Sequence, residues 1–321
     1  MGYQSKKVWC QAISKVKEES RRKMSIDYLC ELLGYSKQAY YKRIRNQEKE
    51  NFEEALIVEM IKEKRKLWKK GSGRNLHASL NEEFATHNIK MGRDKFYELL
   101  RRNKLLNERK RYKTRTTFSY HYYHKYPNLI KDMEVTRPNQ VVVSDITYVW
   151  LRGTENFSYL YLITDMYSRK ILGYYLSEDL KTKSAIIALK MAIDNMIKTE
   201  GCIHHSDRGI QYCSHKYIEI LSKKKIKISM TEKGDPLENP IAERINRTIK
   251  EEFTEQRHLS FENITEGRTR IPEWINFYNE ERPHRSIEML TPSKAYHLNG
   301  KLKRKWKNYY GKKSIHQLAD G

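Results

Sequence analysis

The chain has 321 residues and a strongly basic composition. Apolar residues make up 38% of it and 23 residues are tyrosine, which excludes a chain that is disordered throughout. Its 63 lysines and arginines outnumber its 40 aspartates and glutamates and give a net charge of +23. Such a surface attracts polyanions, so nucleic acid is the favoured partner. A ribosome-associated factor and a membrane-surface binder are the alternatives.

Targeting signals and cysteine chemistry give little further direction. No apolar run approaches the length of a membrane span, and the amino terminus lacks the apolar core of a secretory signal. We therefore expect a cytoplasmic protein with no membrane partner. The four cysteines form no Cys-x-x-Cys pair and are expected to be reduced thiols. Cysteines and histidines cluster at residues 202–215, but their spacing matches no usual zinc pattern.

The first helical segment, residues 25–46, has the pattern of a helix-turn-helix. Ser25 predicts a helix cap, Gly34 a turn, and Ser36 the start of a second helix. That second helix would present polar and basic side chains to a DNA groove, although a plain helical hairpin gives the same periodicity. The candidate DNA-contacting residues here are Lys37, Gln38, Tyr41, Lys42 and Arg43.

A second helix-turn-helix-like unit follows. Helices are predicted at residues 54–69, about 75–87 and 92–103, and Arg93 near the start of the last one is a further candidate DNA contact. Residues 101–127 then interleave cations with aromatic side chains. This composition suits a linker lying along nucleic acid and, equally, a linker that is simply solvated.

Near residue 137 the composition changes from helical and basic to β-branched and aromatic. Three antiparallel strands are predicted, and a helix, a strand, a helix, a strand and a long helix follow them. This order is that of the ribonuclease H-like fold. We therefore predict an α/β core with a mixed five-stranded sheet and flanking helices, preceded by all-α helix-turn-helix domains. The predicted strands lie at about residues 140–149, 158–165, 170–177, 203–207 and 226–230. The predicted helices lie at about residues 182–198, 214–224 and from 240.

Three acids stand out in this predicted core. Asp145 lies within the apolar first strand, where an ionised carboxylate is costly unless it is paired or bound to metal. Asp207 ends the fourth strand, and Glu243 lies in the first turn of the last helix, with 35 residues between them. Asp165, predicted in a turn, and Asp194, predicted on a helix, are rival acids.

These acids, with their flanking residues, resemble the D, D-35-E signature of the retroviral integrase and bacterial insertion-sequence transposase superfamily. They stand in "SDITYV", "HSDRGIQY" and "ENPIAERINRTIKEE". Residues 277–296, "FYNEERPHRSIEMLTPSKAY", resemble the stretch that follows the catalytic glutamate in those transposases. The chain is similar over about residues 20–297 to the second-frame product of the insertion-sequence-three group, whose amino end also carries helix-turn-helix sequence.

The chemistry of the three acids agrees with this resemblance. Asp145, Asp207 and Glu243 could hold two divalent cations about 4 Å apart, Mg²⁺ or its substitute Mn²⁺. One cation would activate water or a DNA 3′-hydroxyl, and the other would stabilise the leaving oxygen. Without cations the acids would repel one another and raise one another's pKa values. The resemblance implies a transposase that cuts a strand at an element end and transfers its 3′-hydroxyl.

Supporting roles are predicted around the acids. Asn246, Arg247 and Lys250 share the helix face of Glu243, where they would grip the phosphate backbone. A histidine and a serine precede the aspartate in the family pattern, and a small residue would let the chain leave the strand beside the site. The resemblance also places a later segment against the core, either touching DNA or bracing the fold. The supporting residues are His205, Ser206, Gly209, Asn279, Arg282 and His284.

The resemblance also sets expectations for partners. Double-stranded DNA, as element ends and target, is the expected substrate, bound by a homodimer or higher homo-oligomer because two ends must meet. A nucleoid-associated location in a bacterium is expected. Active enzymes of the group commonly carry a fused first-frame segment with a heptad zipper. The sequence has no sustained zipper, so the chain is either part of the active enzyme or works alone.

Other functions compatible with these motifs are a domesticated DNA-binding regulator that has lost turnover and a nuclease of the same fold acting on RNA:DNA hybrids. The three acids argue against the first, and the amino-terminal helical units argue against the second. The expected domain bounds are 1–50 and 51–110 for the two helical domains, 111–136 for the linker, 137–297 for the catalytic core and 298–321 for a basic tail.

Overall fold

A computed structural model describes residues 5–19, 24–107, 124–131, 133–232, 239–253 and 260–302. The chain divides into two compact units, residues 1–63 and 64–321. Residues 108–123, in the predicted linker region, and residues 303–321, in the predicted tail, lie outside the described residues. Among the described residues, no helix is both long enough and apolar enough to span a bilayer.

The first unit is helical. Helix α1 covers Ser5–Glu19, α2 covers Ile26–Leu32, and α3 covers Lys37–Leu67, which continues into the second unit. The Ser25 hydroxyl accepts a hydrogen bond from the Tyr28 amide at 3.2 Å, and Gly34 has a φ of +74° in the turn. The predicted sequence of cap, helix, glycine turn and helix is therefore present. The small core consists of Cys10, Ile13, Leu29, Cys30 and Tyr40.

Helix α3 corrects one sequence prediction. The second helix of the first segment and the separate helix at residues 54–69 are one helix of 31 residues. Residues 37–67 contain neither glycine nor proline. The side chain of Arg43 donates to Gln47 at 3.2 Å, and that of Gln47 donates to Asn51 at 2.9 Å. The prediction of two helices was wrong because a lapse in apolar periodicity does not end a helix that contains no breaker.

The second unit begins with three short helices. These are α4 (Gly73–Ser79), α5 (Asn81–Thr86) and α6 (Arg93–Arg102). The predicted helix at residues 75–87 is interrupted at Leu80, which ends α4 and precedes α5. Gly92 precedes α6, as predicted. The helices pack around the buried side chains of Leu76, Leu80, Phe84, Phe96 and Leu99.

The centre of the second unit is a mixed sheet with the order β3-β2-β1-β4-β5. Strands β1, β2 and β3 pair antiparallel, while β4 and β5 run parallel to β1 and to each other. The predicted five strands are confirmed. A sixth, two-residue strand beside the end of β1 was not predicted. The strands are β1 (Val141–Leu151), β2 (Asn156–Asp165), β3 (Ile171–Ser177), β4 (Ile203–Ser206), β5 (Lys227–Met230) and β6 (Ser260–Phe261).

Helices cover both faces of this sheet. The side chain of Val142 packs in one apolar cluster with α7, whereas Val141 and Val143 pack in another with Ala242 of α10. Because neighbouring residues of a strand point to opposite faces, α7 and α10 lie on opposite sides of the sheet. The helices are α7 (Thr182–Asp194), α8 (Ile210–Cys213), α9 (His215–Lys223), α10 (Pro240–Glu252), α11 (Ile264–Glu280) and α12 (Pro292–Ala295).

Candidate active site

Asp145 lies in the middle of β1, on the face covered by α10. It follows Val141 and Val143 by even numbers of residues, so its side chain points to the same face as theirs. One carboxylate oxygen, Oδ1, accepts a hydrogen bond from the Ile146 amide at 2.8 Å. The other, Oδ2, accepts one from the side-chain amide of Asn246, on α10, at 2.7 Å.

The electrostatic environment of Asp145 disfavours its ionised form. Burial, the negative charge of Asp207 and, more weakly, that of Glu243 together raise the pKa of Asp145 to about 7. The hydrogen bonds from Ile146 and Asn246 act in the opposite direction. Asp207 and Glu243 therefore each lie within electrostatic range of Asp145, and a cation beside Asp145 would relieve this repulsion.

Asp207 follows the end of β4. Val143 of β1 pairs with His205 of β4 in parallel register, so the chain positions of Asp145 and Asp207 are each two residues further along. The Asp207 Oδ1 accepts a hydrogen bond from the Gly209 amide at 3.0 Å. A Cβ atom at Gly209 would lie 3.0 Å from the same oxygen. The absence of a side chain at Gly209 thus permits this close approach.

Glu243 lies in the first turn of α10 and is exposed. The start of α10 is attached to β1 beside Asp145, because the side-chain amide of Asn239 donates to the Ser144 carbonyl at 3.1 Å. The Glu243 amide donates to the Asn239 carbonyl at 3.3 Å. This attachment holds the amino end of α10, and with it Glu243, close enough to Asp145 for the two charges to interact.

The chemistry of the donors suits a hard divalent cation, since all three acids offer carboxylate oxygens. Within the described part of the chain, however, no three His, Cys, Asp or Glu side chains are arranged to hold one metal ion. A further acceptor lies beside Asp145: the Asn246 side chain is 7% exposed, and its amide oxygen has no hydrogen-bond partner among the described residues. The donor set fits Mg²⁺ or Mn²⁺ in kind.

The other predicted DNA contacts on α10 differ in their surroundings. Asn246 donates to Asp145, a role that the sequence did not predict. Arg247 is exposed, and its side chain donates to Glu251 at 3.1 Å. Burial lowers the pKa of Lys250, and the charge of Asp145 opposes this shift. Lys250 therefore lies in the field of Asp145, and contacts of Arg247 and Lys250 with DNA stay predictions.

The two histidines before Asp207 are buried within the sheet. The Nε2 atom of His204 lies 3.0 Å from the Ser144 hydroxyl and 2.9 Å from the Tyr217 hydroxyl. Burial lowers the pKa of His204 to about 3. The Nδ1 atom of His205 lies 2.9 Å from the Ser229 hydroxyl of β5. These contacts connect β4 to both neighbouring strands and so support the backbone that leads to Asp207.

Ser206 and the cysteines also have local structural contacts. The Ser206 hydroxyl donates to the Asp207 carbonyl at 2.9 Å. Burial raises the pKa of the Cys202 thiol to about 12 and that of Cys213 to about 11. The Cys213 sulfur lies 3.7 Å from the sulfur of Met230. Both thiols are therefore packed as apolar core groups.

Neither rival acid joins the site. Asp165 is fully buried at the end of β2 and accepts hydrogen bonds from the Asn139 amide at 2.8 Å and from Ser168, amide and hydroxyl, at 2.7 and 2.6 Å. It therefore orders a turn, as predicted. Asp194 is exposed at the end of α7.

The carboxyl end of α11 and the segment that follows it brace the fold. The side-chain oxygen of Asn279 accepts from the Ile171 amide and its nitrogen donates to the Ile171 carbonyl, both at 3.0 Å, which fixes the start of β3. Arg282 and His284 belong to a buried set that we term the Glu252 cluster: Trp68, Glu252, Arg282 and His284. The sequence had left open whether these residues touch DNA or brace the fold, and their contacts are internal.

The Glu252 cluster is densely hydrogen-bonded. The Arg282 guanidinium donates to both Glu252 oxygens, at 2.6 and 2.7 Å, and to the His284 ring at 2.8 Å. The Trp68 indole also donates to Glu252, at 2.7 Å. Burial alone would lower the pKa of Arg282, but the Glu252 carboxylate reverses this effect and leaves that pKa raised. Burial, with the nearby Arg282 charge, holds the pKa of His284 well below its usual range.

The predicted DNA contacts of the helical segments lie mostly at the surface. Gln38, Tyr41 and Lys42 are exposed, and Lys37 pairs with Asp27 at 2.9 Å. Arg43 is partly buried. In the second unit, Arg93 lines an open concave surface with Arg74 and Arg101, and its side chain donates to Asp94 at 2.9 Å. Contact of any of these residues with DNA stays a prediction.

Comparison with known families identifies the region that holds the three acids. Two models described as integrase core domain match residues 135–236 and residues 224–292. Together they cover the sheet, α10 and the segment that contains Asn279, Arg282 and His284.

Curated relatives come from insertion sequences. The chain is 33% identical over 270 residues to an uncharacterized 31 kDa protein of insertion element IS600 from Shigella sonnei, an alignment that covers 83% of this chain and 96% of that protein. It is 32% identical over 168 residues to the transposase of insertion sequence element IS904 from Lactococcus lactis, covering 52% of this chain and 65% of the transposase. The second alignment thus spans less than two thirds of that relative.

A solved structure with a more distant likeness is the HTLV-2 integrase catalytic core domain in complex with magnesium. It aligns with 50% of this chain and 98% of its own chain, at 15% identity and a TM-score of 0.35. That likeness is too distant to bear on function.

Proposed function

Since the chain belongs to the integrase-core family of insertion-sequence transposases, we propose that it cuts a DNA strand at an element end and joins the exposed 3′-hydroxyl to target DNA. The supporting observation is electrostatic. The pKa of Asp145 is raised to about 7 by burial and by the charges of Asp207 and Glu243. An arrangement that destabilises its own carboxylates is typical of a site built to receive cations.

On this proposal, Asp145, Asp207 and Glu243 hold two Mg²⁺ ions, for which Mn²⁺ is the substitute. When bound, the ions supply Lewis acidity to the attacking hydroxyl and to the leaving oxygen. The chain itself orients the ligands: Asn246 holds one oxygen of Asp145, and the Gly209 amide holds one oxygen of Asp207. The protein forms no covalent bond to DNA in this scheme.

The substrate is proposed to be double-stranded DNA, as both element end and target. Arg247 is exposed and Lys250 lies in the field of Asp145, so both are suited to phosphates beside the scissile bond. The helical units within residues 1–110 are proposed to bind the element ends. Two ends must meet, so we propose a homodimer or higher homo-oligomer on DNA, with a first-frame segment as a possible further partner. A monomeric complex that holds both ends would contradict this assembly.

The test is an assay of strand cleavage and joining. Labelled duplex DNA with the terminal sequence that flanks the gene is mixed with Mg²⁺ and with wild-type protein or the variants Asp145→Asn, Asp207→Asn and Glu243→Gln. We expect each variant to lose turnover and to retain DNA binding. Asp194→Asn is the matched control, because that acid is exposed and outside the site.

The outcomes separate the candidate functions. Wild-type turnover in any one of the three variants would remove that residue from the proposed site. Tight DNA binding by wild-type protein with no turnover in Mg²⁺ or Mn²⁺ would instead favour a DNA-binding regulator. Cleavage of RNA:DNA hybrids in preference to element-end DNA would favour a nuclease.

A further inference from the structure

The Glu252 cluster lies on the same helix as Glu243, at its opposite end. The two glutamates are nine residues apart on α10. At 3.6 residues a turn, nine residues amount to about two and a half turns, so the side chains leave the helix on opposite sides, roughly 13 Å apart along its axis. The cluster therefore holds the side of α10 that faces away from the proposed metal ligands.

The hold on Glu252 is strong and directional. Only 7% of the Arg282 side chain and 18% of the Glu252 side chain are exposed. A planar guanidinium that donates to both oxygens of a planar carboxylate fixes orientation as well as distance. The Trp68 indole adds a third donor, and the Lys70 amide donates to the Glu252 backbone carbonyl at 2.8 Å. Rotation of α10 about its axis would break several of these bonds together.

The amino end of α10 packs directly on β1. Ala242 lies in an apolar cluster with residues of β1, and the side chains of Asn239 and Asn246 each donate a hydrogen bond to β1. Glu243 itself is exposed. Because an α-helix turns as one body, the rotational position of Glu243 depends on how firmly the far end is fixed.

We propose that Arg282, through Glu252, is a positioning residue for the metal-binding acids: it fixes the rotation of α10 and thereby places Glu243 relative to Asp145 and Asp207. Arg282 touches neither substrate nor metal in this role. The inference rests on the proposed function, because it assumes that Glu243 is a metal ligand.

The decisive variant removes both charges of the pair. Glu252→Gln combined with Arg282→Met leaves no buried unpaired charge, and the new glutamine oxygen can still accept from the Trp68 indole. We expect the double variant to unfold near the wild-type midpoint but to bind Mn²⁺ about tenfold more weakly, the loss typical when residues supporting metal ligands are removed. Mn²⁺ binding is measured by electron paramagnetic resonance on the full chain, without DNA.

A second variant keeps the test valid if the double variant does not fold. Arg282→Lys retains the charge but cannot donate to both oxygens in one plane. We expect it to fold and to bind Mn²⁺ several-fold more weakly. The matched control is Arg270→Lys, on α11, where the arginine pairs with Glu273 at 2.8 Å and both side chains are over 40% exposed. That control should bind Mn²⁺ like wild type.

The positioning role would be overturned if the folded double variant, or folded Arg282→Lys, bound Mn²⁺ with wild-type affinity. The Glu252 cluster would then contribute only to the stability of the fold. Glu243→Gln, titrated in parallel, separates the two proposals. If Glu243→Gln loses Mn²⁺ affinity while the Arg282 variants keep it, only the positioning inference fails. If Glu243→Gln keeps wild-type affinity, the proposed metal site fails and the inference fails with it.

Discussion

The two ends of helix α10 place acids in opposite electrostatic settings. At the amino end, burial raises the pKa of Asp145, and the charges of Asp207 and Glu243 raise it further. At the carboxyl end, Glu252 accepts hydrogen bonds from Arg282 on both oxygens, and its charge raises the pKa of that arginine. One helix thus carries an acid that worsens an unfavourable charge cluster and an acid that stabilises a buried cation. The acids at the amino end are suited to binding cations, whereas the pair at the carboxyl end stabilises the fold.

Removing the acid at the carboxyl end should have the largest effect on stability. Glu252→Ala leaves the buried Arg282 charge without its partner, so we expect the free energy of unfolding to fall by about 3–5 kcal/mol. Urea unfolding at neutral pH measures this loss. Glu273→Ala is the control, because its pair with Arg270 is exposed, and it should change stability by about 0.5 kcal/mol or less. If the two substitutions reduced the free energy of unfolding equally, the Glu252 carboxylate would contribute no more than an exposed ion pair.

Removing the charge of Asp145, near the amino end of α10, should instead increase the free energy of unfolding. The pKa of Asp145 is about 7 in the folded protein and about 3.9 in an unfolded chain, so between these values the folded state binds more protons. The free energy of unfolding therefore falls as pH rises through this window. We expect Asp145→Asn to stabilise the metal-free protein by up to about 4 kcal/mol at pH 8, the free energy that follows from these two pKa values, and by little near pH 4.

Urea unfolding at the two pH values, in the presence of a chelator, measures this difference. An Asp145→Asn variant that is less stable than wild type at pH 8 would mean that the carboxylate is stabilised where it lies, contrary to the account.

A smaller loss of stability is expected at Asn246, which lies between the two ends of α10. Asn246 is buried and donates to Asp145, so Asn246→Ala removes a hydrogen bond that favours the ionised carboxylate. We expect a cost of about 1–2 kcal/mol in stability and a higher pH for half-maximal Mg²⁺-dependent turnover, because the pKa of Asp145 should rise. An unchanged pH profile would show that Asn246 does not support the ionised form.

The smallest effect on stability is expected on the exposed side of the same helix. Arg247→Ala removes only a pair with Glu251 one turn away and should cost about 0.3–0.5 kcal/mol. If Arg247 meets a phosphate, the substitution should also reduce the slope of DNA affinity against salt concentration by about one. Binding isotherms at several salt concentrations test this, and an unchanged slope would remove Arg247 from the DNA surface.

The sheet and its helices were largely predictable because their signals are local. The bounds of β1, β2 and β3 are close to those read from alternating β-branched and aromatic residues. Helix α10 begins at Pro240, the residue at which the sequence predicted the last helix to start. Two errors have a common cause: the continuity of α3 and the break at Leu80 depend on weak local preferences that apolar periodicity does not record.

The electrostatics of the site could be predicted only in part. The spacing of Asp145, Asp207 and Glu243 identified the acids, but pairing across long sequence separations is not visible in local patterns. The bond from Asn246 to Asp145 joins residues about one hundred positions apart. Similarly, the partner of Arg282 is Glu252, which the sequence did not single out. The available signal was an arginine shortly after an apolar helical segment, since an arginine that becomes buried there must find an acid.

Parallel assays of Glu243→Gln and Glu252→Gln test the account most directly. Each variant replaces one α10 glutamate with its uncharged counterpart, and each is assayed for Mg²⁺-dependent joining of a pre-cut element end and for its unfolding midpoint. We expect Glu243→Gln to unfold at or above the wild-type midpoint and to join no DNA, whereas Glu252→Gln should unfold below that midpoint. Wild-type joining by Glu243→Gln would remove Glu243 from the proposed active site.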